Sequence, residues 1–211
     1  MVHMIHVMSA WMELPASKVR AESLRPVDVR AEQACRGDRD ALATLLREHG
    51  PSIARLCHFI VGPVEAADAT QDAFERIIQQ IQSFDPKRGA FRTWAFTVAR
   101  NTCRDRLRRR GLERAKFADV DDVSLDVRDA MSVGPEERVL ARADAQALGR
   151  ALEMLPEPMR VALVLFHMND ATYQEIADML GVPIGTVMTW LHRGRKKLRQ
   201  LLESSAPMGE A

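Results

Sequence analysis

Apolar residues recur every three or four positions through most of the chain after residue 31, the spacing of helices rather than strands. Asp38 is placed to cap a first helix that carries Ala41, Leu42, Leu45 and Leu46 on one face, and His49-Gly50-Pro51 is expected to stop it. Ile53, Leu56 and Ile60 mark a second helix, closed by Gly62-Pro63. A third runs from about Glu65 to Gln82, with Ala66, Ala69, Ala73, Ile77 and Ile81 as its buried stripe. Phe84 to Gly89 reads as a loop because it carries Pro86 and Gly89. A fourth helix spans about Phe91 to Arg110, with Phe91, Trp94, Ala95, Val98 and Leu107 available for packing.

Periodicity lapses over 111–135 and resumes near Glu136, with Leu140, Leu148, Leu152 and Leu155 along one side. Pro156 and Pro158 interrupt it, and Met159 to Phe166 forms a short apolar helix. Next comes Thr172-Tyr173-Gln174-Glu175, the pattern of a capping box, followed by inward-facing Ile176, Ala177 and Leu180. Gly181 suits the left-handed position that closes a helix. Val182 plugs the angle, and another helix starts between Pro183 and Gly185 and carries Val187, Leu191, Leu198 and Leu201. Two helices joined by a short turn containing glycine form a helix-turn-helix.

Composition supports an all-helical reading: hydrophobic residues make up 46% and aromatics only 5%. The net charge of +1 argues against a nucleic-acid binder, but only until its distribution is examined. Arg100 to Lys116 holds eight basic and two acidic residues, whereas Asp119 to Asp129 holds five acidic and one basic. The basic block lies on the fourth helix, next to Arg92 and Trp94, where cations can follow a phosphate backbone and aromatic faces can stack on bases. The loop from Gln82 to Arg92, with Phe84, Lys87, Arg88 and Phe91, is a candidate pocket for a flipped base. From the residues alone, Phe91 and Trp94 are more often core than stacking platforms. On the last helix, Thr186, Met188, Thr189 and His192 sit in the turns that would enter a major groove, with Arg193, Arg195 and Lys196 placed for phosphates.

Cys35, Cys57 and Cys103 are scattered, which disfavours both a disulfide framework and a zinc site. Neither His167, Asp170 and Glu175 nor His49, Cys57 and His58 have the spacing of metal ligands, and there is no phosphate-cradling glycine loop or nucleophile motif. An enzymatic role, a metal and a cofactor are therefore not expected. No apolar run is long enough to span a membrane, and Met1 to Pro15 lacks the pattern of a signal peptide, so the chain is expected in the cytoplasm without membrane insertion.

Asp68-Ala69-Thr70-Gln71-Asp72-Ala73-Phe74, Phe91-Arg92-Thr93-Trp94 and Ala99-Arg100-Asn101 resemble domain 2 of the extracytoplasmic-function (ECF) sigma factors of the sigma-70 family. Leu155 to Arg160, Tyr173 to Ala177 and Gly181 to Val187 resemble domain 4 of the same family. The resemblance implies two small helical domains joined by an extended linker: an N-terminal extension over 1–30, domain 2 over 31–110, an acidic linker over 111–135, domain 4 over 136–203 and a tail over 204–211. It implies binding to core RNA polymerase through Asp68, Gln71, Asp72, Phe74 and Glu75 on the clamp helices, with domain 4 on the flap. It also implies capture of the promoter −10 element by Phe84, Lys87, Arg88, Phe91, Arg92, Trp94, Arg100, Asn101 and Arg104. The −35 element would fall to Thr186, Met188, Thr189, His192, Arg193, Arg195 and Lys196. Control by an anti-sigma factor and a role in a stress or envelope response follow from the same resemblance. The sequence departs from the family at Met188 and Trp190, where members often carry basic residues.

Two promoter elements roughly 20 base pairs apart are separated by about 70 Å. A linker of about 25 residues reaches about 85 Å when extended but averages only about 25–30 Å as a coil. Engaging both elements at once therefore calls for a nearly extended linker, whose acidity suits a basic channel. Two rival readings stay open at this point. An ordinary dimeric helix-turn-helix regulator would not need the Asp68–Phe74 motif, and a sigma mimic that titrates an anti-sigma factor would normally carry a receiver domain.

Overall fold

The computed structural model describes residues 29–114 and 146–205, and every regular element among them is helical. The readings made for 1–28, for the acidic linker beyond Arg114, for Leu140 and for the tail after Ser205 lie outside these residues.

The first bundle contains α1 (Val29–Cys35), α2 (Arg39–Val61), α3 (Ala66–Gln80), a 3-10 turn (Ile81–Ser83) and α4 (Phe91–Arg114). Asp38 caps α2 as expected, its carboxylate accepting from the Asp40 and Ala41 amides at 2.9 and 3.0 Å. The expected break at His49-Gly50-Pro51 does not occur, and α2 continues through Pro51 as one helix. Proline inside a helix forgoes one backbone bond and crowds the residue before it, but here that residue is a glycine, so the part of the clash made by a Cβ is missing. Gly50 is buried as well: a Cβ there would sit 3.4 Å from the Phe74 ring. Helices α2, α3 and α4 pack on one another around Leu45, Ile53, Leu56, Ala69, Ala73, Ile77, Ala95, Phe96 and Ala99. The alanines on α3 and α4 let these helices approach closely, and Cys57 and Cys103 fill the remaining space. Cys57 donates its thiol to the Ala69 carbonyl at 3.9 Å, and the neighbouring Cys57 thiol together with burial pushes the Cys103 thiol up, which opposes a thiolate at Cys103.

The second bundle contains α5 (helical over 146–153), α6 (Glu157–His167), α7 (Tyr173–Leu180) and α8 (Ile184–Ser205). Pro156 and Pro158 do not simply break the chain. They fall at the N-cap and in the first turn of α6, where a missing N–H costs nothing. The capping box of α7 is complete: Thr172 Oγ1 accepts from the Glu175 amide at 3.2 Å, and Glu175 accepts from the Thr172 amide at 2.8 Å. Gly181 closes α7 in the left-handed region, at φ 66 and ψ 39. Gly194 lets α8 lie against α6, since a Cβ there would meet Leu163 at 3.0 Å.

The six residues from Val161 to Phe166 are all buried, so α6 has no solvated face. The reason is position: α8 covers one side of α6 and α2 of the first bundle covers the other. The two bundles also meet where α4 packs on α7. At this seam the Asn169 side-chain amide donates to the Ser52 carbonyl at 3.1 Å. No described helix is long and apolar enough to cross a membrane.

Candidate nucleic-acid interface

Three separate faces carry the residues expected to act, and the structure sorts each set into exposed and structural members.

On α3, Gln71 and Glu75 are exposed and joined by a hydrogen bond of 3.0 Å, one turn apart. Asp68 and Asp72 are tied instead to Arg106 on α4, at 3.2 and 2.7 Å, and Glu65 joins the same guanidinium at 2.9 Å. Arg110 adds a second ion pair to Glu65. Hydrogen bonds to Glu65, and then to Asp72, push Arg106 up, so it is a permanent cation binding α3 to α4. Asp68 and Asp72 thus have a structural partner in addition to any external one. Phe74 needs correcting: it turns toward the core and packs on Gly50 rather than pointing outward with Gln71 and Glu75.

Between α3 and α4 the chain folds into a surface cavity of about 270 Å³, lined among others by Phe84, Asp85, Arg88, Thr93 and Trp94. Drug-sized ligands occupy pockets of about 300–1,000 Å³, so this one has room for a single small group. Its loop is held by Asp85, whose carboxylate accepts from the Lys87 amide at 3.0 Å and whose carbonyl accepts from the Arg88 amide at 3.0 Å. Lys87 and Arg88 are exposed on that loop. The aromatic residues divide. Phe84 and Phe91 are buried and belong to the core, correcting their reading as base-contacting groups, although one side of Phe84 still forms the cavity floor. Trp94 is half-buried, its ring 5.2 Å from that of Phe84 and 5.8 Å from that of Phe91, and it forms the wall.

Further along α4, Asn101 is exposed and Arg100 is half-buried. Burial, and then the neighbouring Arg104, lowers the Arg100 guanidinium from its ordinary value. Arg92 and Arg104 face the second bundle, where Arg92 lies 3.8 Å from Glu175 and Arg104 lies 3.9 Å from Glu157. Arg92 also stands 5.6 Å over the Phe96 ring. In this conformation the basic side of α4 is therefore partly occupied by carboxylates of the helix-turn-helix bundle. No residue pattern pointed to Glu157, Asn169 or Ser52. The unbroken apolar run of α6 was the available signal, because a helix without a polar face must be covered on every side.

On α8, Met188, Thr189, His192, Arg193 and Lys196 are exposed and Thr186 is half-buried, so the reading face expected of a second helix stands free. Arg195 is the exception: it is 8% exposed, with its guanidinium 5.7 Å over the Phe166 ring. It lies seven residues after Met188, almost the same angular position on the helix. At Met188 the bundle has ended, and at Arg195 it has not. Arg195 therefore packs domain 4 and does not face a phosphate. Trp190 is half-buried against the core and does not join the reading face.

Comparison with known proteins finds a family match for each bundle. Residues 45–113 match Sigma-70 region 2, and residues 145–198 match Sigma-70, region 4. The ECF RNA polymerase sigma factor SigW of Bacillus subtilis (strain 168) is 33% identical over 178 residues, covering 82% of this chain and 95% of the relative. The ECF RNA polymerase sigma-E factor of Escherichia coli (strain K12) is 29% identical over 177 residues, covering 81% of this chain and 91% of that protein. Among solved structures, the sigma factor RpoE, in complex with the anti-sigma factor NepR from Bartonella quintana, superposes with a TM-score of 0.66 at 24% identity, covering 78% of this chain and 98% of that chain. CnrH, solved with the cytosolic domain of CnrY, gives a TM-score of 0.60 at 24% identity, covering 84% of this chain and 97% of that one. With both conserved regions in order and a relative at this identity over nearly its full length, the chain belongs to the ECF sigma factors of the sigma-70 family.

Proposed function

We propose that this chain is an alternative sigma factor whose first bundle, domain 2, captures an unpaired base of the −10 element in the Phe84–Trp94 cavity, and whose helix α8 reads the −35 element as duplex. The observation that carries the proposal is the pairing of a base-sized cavity with a basic helix on domain 2 and an unobstructed recognition face on domain 4. The chain binds core RNA polymerase and directs promoter-specific initiation, and it is a transcription factor rather than an enzyme. It acts in the cytoplasm. Gln71 and Glu75 present the free polar surface of α3 to the basic clamp helices, an acidic face suited to that partner. Arg88, Lys87 and Asn101 guide the single strand around the cavity. The domains extend over 31–110 and 136–203, and the acidic segment between them lies in the polymerase when both promoter elements are engaged. An anti-sigma factor holds the chain inactive until a stress signal releases it. The sigma factor RpoE, of the same fold, was solved with the anti-sigma factor NepR, and CnrH with the cytosolic domain of CnrY.

The test is gel filtration with core RNA polymerase, followed by transcription from a pool of genomic fragments. Co-elution with discrete start sites is expected. Binding to duplex DNA without polymerase would favour an ordinary regulator instead. In the same assay Glu75→Arg is expected to weaken core binding about tenfold, equivalent to about 1.4 kcal/mol. Its melting temperature should not move, since Glu75 is exposed. Unchanged co-elution of this variant would remove Glu75 from the docking face.

A further inference from the structure

Helix α8 opens with an apolar pair that the fold leaves uncovered. Ile184 is 42% exposed and Met188 is 52% exposed, among the most exposed large hydrophobic residues described. They are four residues apart and therefore adjacent on one face of the helix. The same side of α8 carries Leu191, fully buried, one turn on, so the apolar stripe of the helix runs past the end of the bundle into solvent. Nothing in the packing of domain 4 requires a large apolar side chain at either position.

What surrounds the pair identifies its partner. Thr189, His192, Arg193 and Lys196 are exposed on the following turns, which makes a rim of donors and cations suited to phosphates and base edges. The Thr189 hydroxyl is already donated to the Gly185 carbonyl at 2.9 Å, so that donor is committed to the helix itself. The opening turns of the second helix of a helix-turn-helix enter the major groove. In that groove the one apolar group on any base pair is the 5-methyl of thymine. An uncovered Ile–Met pair inside a cationic rim matches a methyl in a negatively charged groove, and it offers no hydrogen bond to guanine.

We propose that Ile184 and Met188 are specificity residues that select thymine in the −35 element through its 5-methyl group. The inference rests on the assignment of α8 as the −35 reader, and it adds the base and the atom recognised.

The experiment uses holoenzyme assembled from the full chain and core RNA polymerase, selecting from promoters randomised at the −35 element. Thymine should be enriched at one or two adjacent positions. Replacing that thymine by deoxyuridine, which removes only the methyl, should lower affinity about three- to fivefold, the size expected for one buried methyl group. In Met188→Ala holoenzyme the thymine and deoxyuridine promoters should bind alike, and the half-exposed site leaves the variant folded, as an unchanged melting curve verifies. Selection of a −35 sequence without thymine, or equal wild-type affinity for both bases, overturns the methyl reading while α8 remains the −35 reader. Indifference to the −35 sequence altogether overturns both. If deoxyuridine is neutral and Met188→Ala loses affinity for core polymerase, the pair is a protein contact and the proposal fails.

Discussion

Replacing Phe84 by alanine is expected to destabilise domain 2 by about 3–5 kcal/mol, the usual cost of emptying a buried phenylalanine site. Phe84 is 7% exposed and packs edge-on against Phe91, with ring centroids 5.9 Å apart, and against Trp94 at 5.2 Å. Its loss removes the floor of the cavity and the support of its Trp94 wall at the same time. Chemical denaturation should show a much lower midpoint, with −10 capture failing as a consequence. Arg88→Ala gives the opposite pattern, because this side chain lines the cavity from an exposed loop. Surface changes of that kind stay within about 0.5 kcal/mol, so stability should hold while open-complex formation slows. A Phe84→Ala protein with an unchanged midpoint would mean that the ring stacks on a base rather than supporting the core.

A second large effect is expected at Glu175, where one carboxylate serves two purposes. It closes the capping box of α7, accepting from the Thr172 amide at 2.8 Å and the Thr172 hydroxyl at 2.9 Å, and it faces Arg92 of domain 2 at 3.8 Å. Glu175→Ala removes the cap and leaves the Thr172 amide without its acceptor, which together should cost about 2–3 kcal/mol. It also releases Arg92, so small-angle scattering should detect a more extended chain. Glu175→Gln retains an oxygen for the Thr172 amide and loses only the charge. That variant should keep most of the helix-turn-helix stability while still loosening the seam. If both variants melt alike, the charge and not the cap supports α7.

Much of this was legible in the residues because the signals were local. The buried stripe of α3 at Ala69, Ala73 and Ile77, the capping box at Thr172 and the left-handed Gly181 each depend on neighbours within a turn or two, and each sits where the pattern placed it, Ala66 alone of the stripe being only half-buried. The misreadings arose where a distant part of the fold decides. Pro51 looked like a stop, but the residue before it is a glycine, kept small by the Phe74 ring across the bundle, and the helix runs on. Arg195 and Met188 share one side of α8, and only the extent of the bundle beneath them separates a packed guanidinium from an exposed thioether. In sequence the aromatic residues of the Phe84–Trp94 segment allow core or base stacking, with core the commoner place for Phe91 and Trp94, and the loop geometry assigns Phe84 and Phe91 to the core while leaving Trp94 on the cavity wall. The seam between the bundles was written in the unbroken apolar run of α6, but a run shows that a helix is covered without naming what covers it.

The ion pairs along α4 bear on how this protein responds to ionic strength. A cation that meets a phosphate from free solution releases a counterion from the nucleic acid, and affinity then falls steeply with added salt. Arg92, Arg104, Arg106, Arg108 and Arg110 do not start from that state, since each faces a carboxylate of its own chain. To reach a phosphate such a side chain must abandon its partner, and the abandoned carboxylate gathers a cation from the medium. Release and uptake then largely cancel. The length of the basic run overstates the salt sensitivity of single-strand binding by domain 2, and a titration of affinity against salt should give a slope well below the number of arginines on the helix.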